Sequence, residues 1–174
     1  TLNNFCKNIN NYLAKDGYLL ITTLDGDILH NLFKKHNGII ESYYTDDSNE
    51  NKNKFFNFTA NYDYTNTDIN KCGLNYESYL SWINDENESY TEYIVSKDYI
   101  IKTLKEKANM SLVDTATFSE IYNNYNTFFN NSANYESEKK TKMFFMGIKE
   151  FYNKDNLYER IFSFLNRMYI FKKN

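Results

Sequence analysis

Apolar side chains at Leu2, Phe5, Ile9 and Leu13 recur at the spacing that places them on one face of a helix, predicted over about Leu2–Ala14. Gly17 breaks that pattern. Tyr18-Leu19-Leu20-Ile21-Thr22-Thr23 then forms a short apolar, β-branched run, predicting a buried strand over about Tyr18–Leu24. Asp25-Gly26-Asp27 supplies turn and N-cap chemistry, and Ile28, Leu29, Leu32 and Phe33 begin a second helical stripe over about Asp27–Lys35. Lys34-Lys35 suit its last turn, where the helix dipole favours cations, and Asn37-Gly38 stops it. Helix, strand, helix is half of a doubly wound α/β unit, whose ligands sit beyond the carboxyl ends of the strands. Thr22 to Asp25 occupy that end, so the search for a site starts there.

Downstream, Ile39-Ile40 with Tyr43-Tyr44, Phe55 to Tyr64 and Tyr76 to Trp82 read as strands. Polar stretches separate them, Thr45 to Lys54 and the acidic Asn84 to Glu88. Ser96 caps a helix carrying Tyr99, Ile100, Ile101 and Leu104 at helical spacing. Met110–Thr117 reads as a strand, Phe118–Phe129 as a helix, the Asn/Ser-rich stretch to Lys140 as a loop, and Met143–Tyr152 as a further helix. Ile161–Lys172 reads as a closing strand. The expected architecture is α/β: Tyr18–Leu24 parallel inside a sheet, and the last strand antiparallel beside Met110–Thr117 at its edge.

A chain of 174 residues is one domain or a large part of one. It has no proline, 5 glycines, 17 tyrosines and 14 phenylalanines, a bias that fits AT-rich coding more than a function. The formal charge of −3 argues against gripping RNA phosphates over the whole surface, leaving Lys139-Lys140 and Lys172-Lys173 as local basic candidates. Cys6 and Cys72 are too few for a disulfide scaffold or a zinc site, and Cys6 reads as a small core residue. His30 and His36, six apart, fall on opposite sides of a helix, a poor start for a metal site. No apolar run reaches membrane-spanning length, and a reducing cytoplasm is the expected compartment.

Three segments in order resemble the mRNA cap (guanine-N7) methyltransferases. Gly17-Tyr18 leading into Thr22-Thr23-Leu24-Asp25 is similar to the family's Gly-aromatic run before T-T-x-D. Glu92-Tyr93-Ile94-Val95 is similar to its E-Y-[LIV]-[VI] segment, followed by a helix and then Ser111-Leu112-Val113-Asp114. Asn166 to Lys173 is similar to its aromatic-rich closing strand. The pairing of T-T-x-D-G-D with T-E-Y-I looks closest to the large subunit of poxvirus-like viral capping enzymes. The resemblance implies the C-terminal half of a Rossmann-like class I methyltransferase sheet with an antiparallel final strand. It also implies that residues 1–174 form a partial methyltransferase domain whose cofactor half, with most residues that hold S-adenosylmethionine, lies upstream. No glycine-rich loop follows an early strand here. The implied partners are the capped 5′ end of mRNA and a small stimulatory capping-enzyme subunit, in the cytoplasm or virion of a virus.

The same resemblance assigns roles. Glu92 takes the position of the carboxylate that binds the cap guanine, and two oxygens facing N1–H and the N2 amino group is chemistry a carboxylate can do. Read alone, Glu92 is a solvated loop acid. Tyr76 or Tyr79 matches an aromatic segment that could wall a flat base, against the plainer reading of sheet or core tyrosines. Thr23 and Leu24 line the floor between cofactor and cap, Leu24 standing where many relatives carry Pro. Asn166 stands where the family commonly has a cap-contacting Tyr, a departure that removes the stacking ring at this strand. Met168 and Ile170 share its face of the strand while Tyr169 and Phe171 face the other way. Methyl transfer to N7 needs no catalytic base, because N7 carries a free lone pair; alignment and exclusion of water suffice. The alternative reading is a non-catalytic, methyltransferase-like subunit of a capping complex, with a general α/β binding module third.

Overall fold

A computed structural model describes residues 2–45, 52–85, 88–132 and 158–174. In chain order its elements are α1 (Leu2–Tyr12), β1 (Tyr18–Leu24), α2 (Gly26–Lys35), β2 (Ile39–Thr45), β3 (Lys52–Ala60), β4 (Asn75–Leu80) and β5 (Tyr90–Tyr93). There follow α3 (Lys97–Ala108), β6 (Met110–Thr117), α4 (Phe118–Ser132), α5 (Tyr158–Ser163) and β7 (Asn166–Lys173). The expected loop to Lys140, the helix Met143–Tyr152 and the pair Lys139-Lys140 lie outside the described residues.

The strands form two antiparallel sheets, ordered β1-β7-β6 and β2-β3-β4-β5. The final strand is antiparallel, as expected, but it is central in its sheet and not at the edge. It pairs with β1 from Tyr18↔Lys172 to Leu24↔Asn166 and with β6 from Met110↔Lys173 to Thr117↔Arg167. β1 and β6 therefore run parallel to each other with β7 between them, and β1 pairs antiparallel, not parallel, with its hydrogen-bonded neighbour. Nor does Ile161 begin the last strand. Tyr158–Ser163 is helical, and the chain extends only from Asn166. The alternation of Tyr169 and Phe171, both fully buried, sets which face of β7 meets the core.

β1 is also less buried than an apolar run suggests. Among the described residues one face is covered, and Tyr18 and Leu20 on the other are 55% and 68% exposed. Leu19 and Ile21 turn toward a cluster in which Cys6 and Ile9 of α1, Ile100, Leu104 and Ala108 of α3, and Tyr169 and Phe171 of β7 interlock. The second cluster joins Leu29 and Phe33 of α2 to Ile40, Phe56, Phe58 and Tyr76 of the four-stranded sheet, with Ile94 and Leu165.

Capping fixes where the helices begin. Asp25 accepts from the amides of Asp27 and Ile28, so α2 starts at Gly26, one residue before the expected Asp27. Ser96 caps α3 by accepting from the Tyr99 amide, and Asn109 ends that helix in the left-handed region at φ 51°. At α4, Glu120 accepts from the Thr117 amide while Thr117 Oγ1 accepts from the Glu120 amide, a reciprocal box. The Thr117 amide, and then the Thr117 hydroxyl donating to the same carboxylate oxygen at 2.9 Å, hold the Glu120 carboxyl below its ordinary range.

The four-stranded sheet is a meander in which each strand pairs with the next along the chain. The polar stretch Thr45 to Lys54 is not all loop, since β3 takes in Lys52–Lys54. A bulge between Ser42 and Tyr43 leaves Phe55 unpaired, and both Phe55 and Phe56 pack into a ring cluster with Trp82 and Phe162. Tyr90 to Tyr93 pair with β4 as an edge strand, so Glu92 is a strand residue and not a loop acid.

Candidate functional site

The two sheets meet at the turn Asp25-Gly26-Asp27. The buried Asp25 carboxylate uses one oxygen on the α2 amides and places the other 2.5 Å from the Arg167 guanidinium of β7. The Asp25 amide donates to the Leu165 carbonyl at 2.7 Å, and the Gly26 amide donates to the Val95 carbonyl at 3.2 Å. Asp27 reaches across to accept from the Lys97 amide at 2.8 Å, so one acid serves the first turn of α3 from another helix. A Cβ on Gly26 would stand 2.5 Å from the Val95 carbonyl oxygen, which is why glycine is needed at this approach. The turn thus pins the end of β1, the start of β7 and the segment after β5 to one point.

Around this point the candidate residues fall into two groups. Thr23 and Leu24 pair with Arg167 and Asn166, so Leu24 and Asn166 are brought side by side at the carboxyl end of β1. Tyr76 and Glu92 pair across β4 and β5, and the Tyr76 hydroxyl donates to Glu92 Oε2 at 2.7 Å. Burial, and then the neighbouring Glu92 carboxylate, push the Tyr76 hydroxyl's pKa up, so it remains a donor throughout the physiological range. Leu24 packs against the core cluster that contains Tyr76, Ile94 and Leu165, which links the two groups. Among the described residues no hydrogen bond joins Glu92 to Asn166.

Glu92 is half-buried, with one oxygen anchored and the other without a hydrogen-bond partner among the described residues. Asn166 is more committed. Its amide donates to the carbonyls of Phe162 at 3.0 Å and Ser163 at 3.2 Å, closing the end of α5. Both N–H groups are thereby occupied, leaving an acceptor that cannot pair with the acceptor edges of a base. Tyr79 stands on the opposite face of β4 from Tyr76, so these two rings do not flank one base from a shared side.

Other sequence candidates have structural partners. His30 is buried, with Nδ1 2.8 Å from the Tyr62 hydroxyl and the two rings stacked. Burial, then Lys34, lowers the His30 pKa, and burial pushes that of Tyr62 up to about 12. Lys172 pairs with Asp16 at 2.8 Å, and Lys173 donates to the Ala108 carbonyl and to Asn10, so neither belongs to a free basic patch. Arg167 escaped the sequence reading. The available signal was a cation beginning the aromatic closing strand and an acid at the end of the first strand, each ordinary alone.

No protein-family model matches this chain. It is 36% identical, over 98% of its length, to a protein of Acanthamoeba polyphaga mimivirus described as "Probable mRNA-capping enzyme". The chain spans 15% of the length of that relative. No helix among the described residues is long and apolar enough to cross a membrane. The similarity thus runs along nearly the whole chain, which matches a segment of a viral protein described as a probable mRNA-capping enzyme.

Proposed function

We propose that this chain is the cap-binding part of an mRNA cap guanine-N7 methyltransferase, with Glu92 reading the guanine. The observation that carries the reading is the Tyr76–Glu92 pair. A carboxylate fixed by a buried phenol is pre-oriented, and its rotamer entropy is already lost before ligand arrives. Each carboxylate oxygen has two lone pairs. Oε2 can therefore hold Tyr76 and still face one guanine donor while Oε1 faces the other.

S-adenosylmethionine, when bound, supplies an electrophilic methyl group. The residues of this chain fit the other half of the work. They orient guanine through Glu92, wall the space with Leu24, Thr23 turning to the opposite face of β1, and keep water out with the packed ring cluster behind Tyr76. The residues that hold S-adenosylmethionine are assigned outside this chain, since its first strand leads into the Asp25-Gly26-Asp27 junction and not into a glycine-rich loop. Capped mRNA is the macromolecular partner, and a small stimulatory subunit is the protein partner, of the complete enzyme. A second reading, a non-catalytic methyltransferase-like subunit, draws on one observation: Asn166 spends its amide donors on α5.

The test uses the complete enzyme. Glu92→Ala removes two charge-assisted hydrogen bonds of about 1.5–3 kcal/mol each, so kcat/KM for capped RNA falls by at least about 100-fold. S-adenosylmethionine affinity stays unchanged. Glu92→Gln turns an NH₂ toward a guanine donor and is nearly as damaging. Near-normal turnover of Glu92→Gln at subsaturating capped RNA would overturn the guanine contact and favour the non-catalytic reading.

A further inference from the structure

The outer face of the four-stranded sheet carries a second feature, which the cap reading does not use. A cleft of about 670 Å³ opens there, lined by Lys52 and Lys54 at one side, Tyr79 on its floor, and Asn84, Asp85 and Glu88 at the other. The bulge in β3 creates it. Because Phe55 is the extra residue, Lys54 and Lys52 share a face with Asn57 and Tyr79, where strict alternation from Phe56 would not bring them together. Neither lysine makes an ion pair among the described residues.

Asn84 fixes the wall opposite the lysines. Its residue is 8% exposed, its Oδ1 accepts from the Leu80 amide at 2.8 Å, and its Nδ2 is buried without a partner. The walls then sort by chemistry. Two ammonium groups suit a phosphate, a half-buried phenol ring suits a base face, and two carboxylates accept from sugar hydroxyls. Volume and polarity fit one nucleotide and not an apolar side chain.

We propose that this cleft binds a ribonucleotide of single-stranded RNA, with phosphate on Lys52 and Lys54, base on Tyr79 and ribose hydroxyls toward Asp85 and Glu88. The inference deepens the proposed capped-RNA substrate and rests on that reading only for which RNA is bound. The face is opposite that of Tyr76 and Glu92, so the nucleotide held here is part of the RNA body and not the cap guanine.

The experiment measures fluorescence anisotropy of a labelled, uncapped oligoadenylate of roughly ten nucleotides with the 174-residue chain, at low salt. The expected result is binding that weakens about tenfold or more in Lys52→Glu/Lys54→Glu and in Tyr79→Ala, and that Tyr79→Phe preserves. The oligodeoxyadenylate binds more weakly than the RNA, and Asp85→Asn narrows that gap. Glu92→Ala leaves uncapped binding unchanged, which separates this cleft from the cap site whichever of the two fails. No binding by the unsubstituted chain, or full affinity in the double lysine variant, overturns the proposal; equal affinity for DNA overturns the ribose assignment.

Discussion

The three-stranded sheet and the four-stranded sheet treat polar groups in opposite ways. In β1-β7-β6 the face toward α1 and α3 is closed by Tyr169, Phe171 and Met110, and its principal buried ion pair, Asp25 with Arg167, sits at the strand ends. In β2-β3-β4-β5 polar chemistry reaches both faces. Glu92 hangs on the inner side from a buried tyrosine, and Glu41, Asn57 and Glu77 knit the outer side with Tyr43, Asn61 and Thr91. One sheet holds a junction in place. The other offers surfaces on which something can be read, and substitutions should divide along that line.

The largest effect is expected at the junction. Arg167→Met leaves the Asp25 carboxylate buried without its cation, although two amides still hold one oxygen. A loss of about 3 kcal/mol is expected, measured as the shift in urea midpoint at constant slope. A smaller loss follows Gly26→Ala, about 1–3 kcal/mol, because the new methyl meets a backbone carbonyl and the two sheets must part slightly. If Gly26→Ala melts like the parent chain, the turn is not the close joint described. A substitution of equal size on the four-stranded sheet, Tyr76→Phe, should cost only about 1 kcal/mol of stability while loosening Glu92.

The smallest effect is a pH dependence. His30 has its pKa lowered in the folded chain, so folding favours its neutral form. That contribution is present above the unfolded value near 6.5 and is lost as pH falls through the folded pKa. His30→Gln keeps a partner for the Tyr62 hydroxyl without titrating. Its melting temperature should fall less steeply than the parent's between neutral and mildly acid pH; parallel slopes would assign the acid sensitivity elsewhere.

Much of the junction was legible because local signals agreed. The β-branched run, the Asp-Gly-Asp turn and the amphipathic stripe after it each pointed to strand, cap and helix, and Ser96 marked α3 in the same manner. Partner choice was not legible. Nothing local distinguishes a β1 paired parallel with an unseen neighbour from one paired antiparallel with Asn166 to Lys172. Ile161 to Ser163 was misread because a short apolar segment fits either period, and α5 is only 6 residues long. Glu92 and Tyr76 were picked out as separate candidates. Their hydrogen bond depends on the β4–β5 register, which a sequence of polar edge strands specifies weakly. The cleft over Tyr79 depends on a bulge, and no residue type announces one.

The insertion of β7 between β1 and β6 also sets a clock. Asp25 and Arg167 lie 142 residues apart, and a ribosome adding roughly 5–20 residues each second needs on the order of ten seconds to cover that distance. Throughout that interval β1 has emerged but its described partner does not yet exist, and Leu19 and Ile21 have no finished sheet to settle into. The β2–β5 meander, complete by Tyr93, can be assembled well before. Nascent chains stalled shortly before Asn166 should therefore present one finished sheet and one strand still waiting, the state in which a chaperone or a neighbouring nascent chain would find it most adhesive.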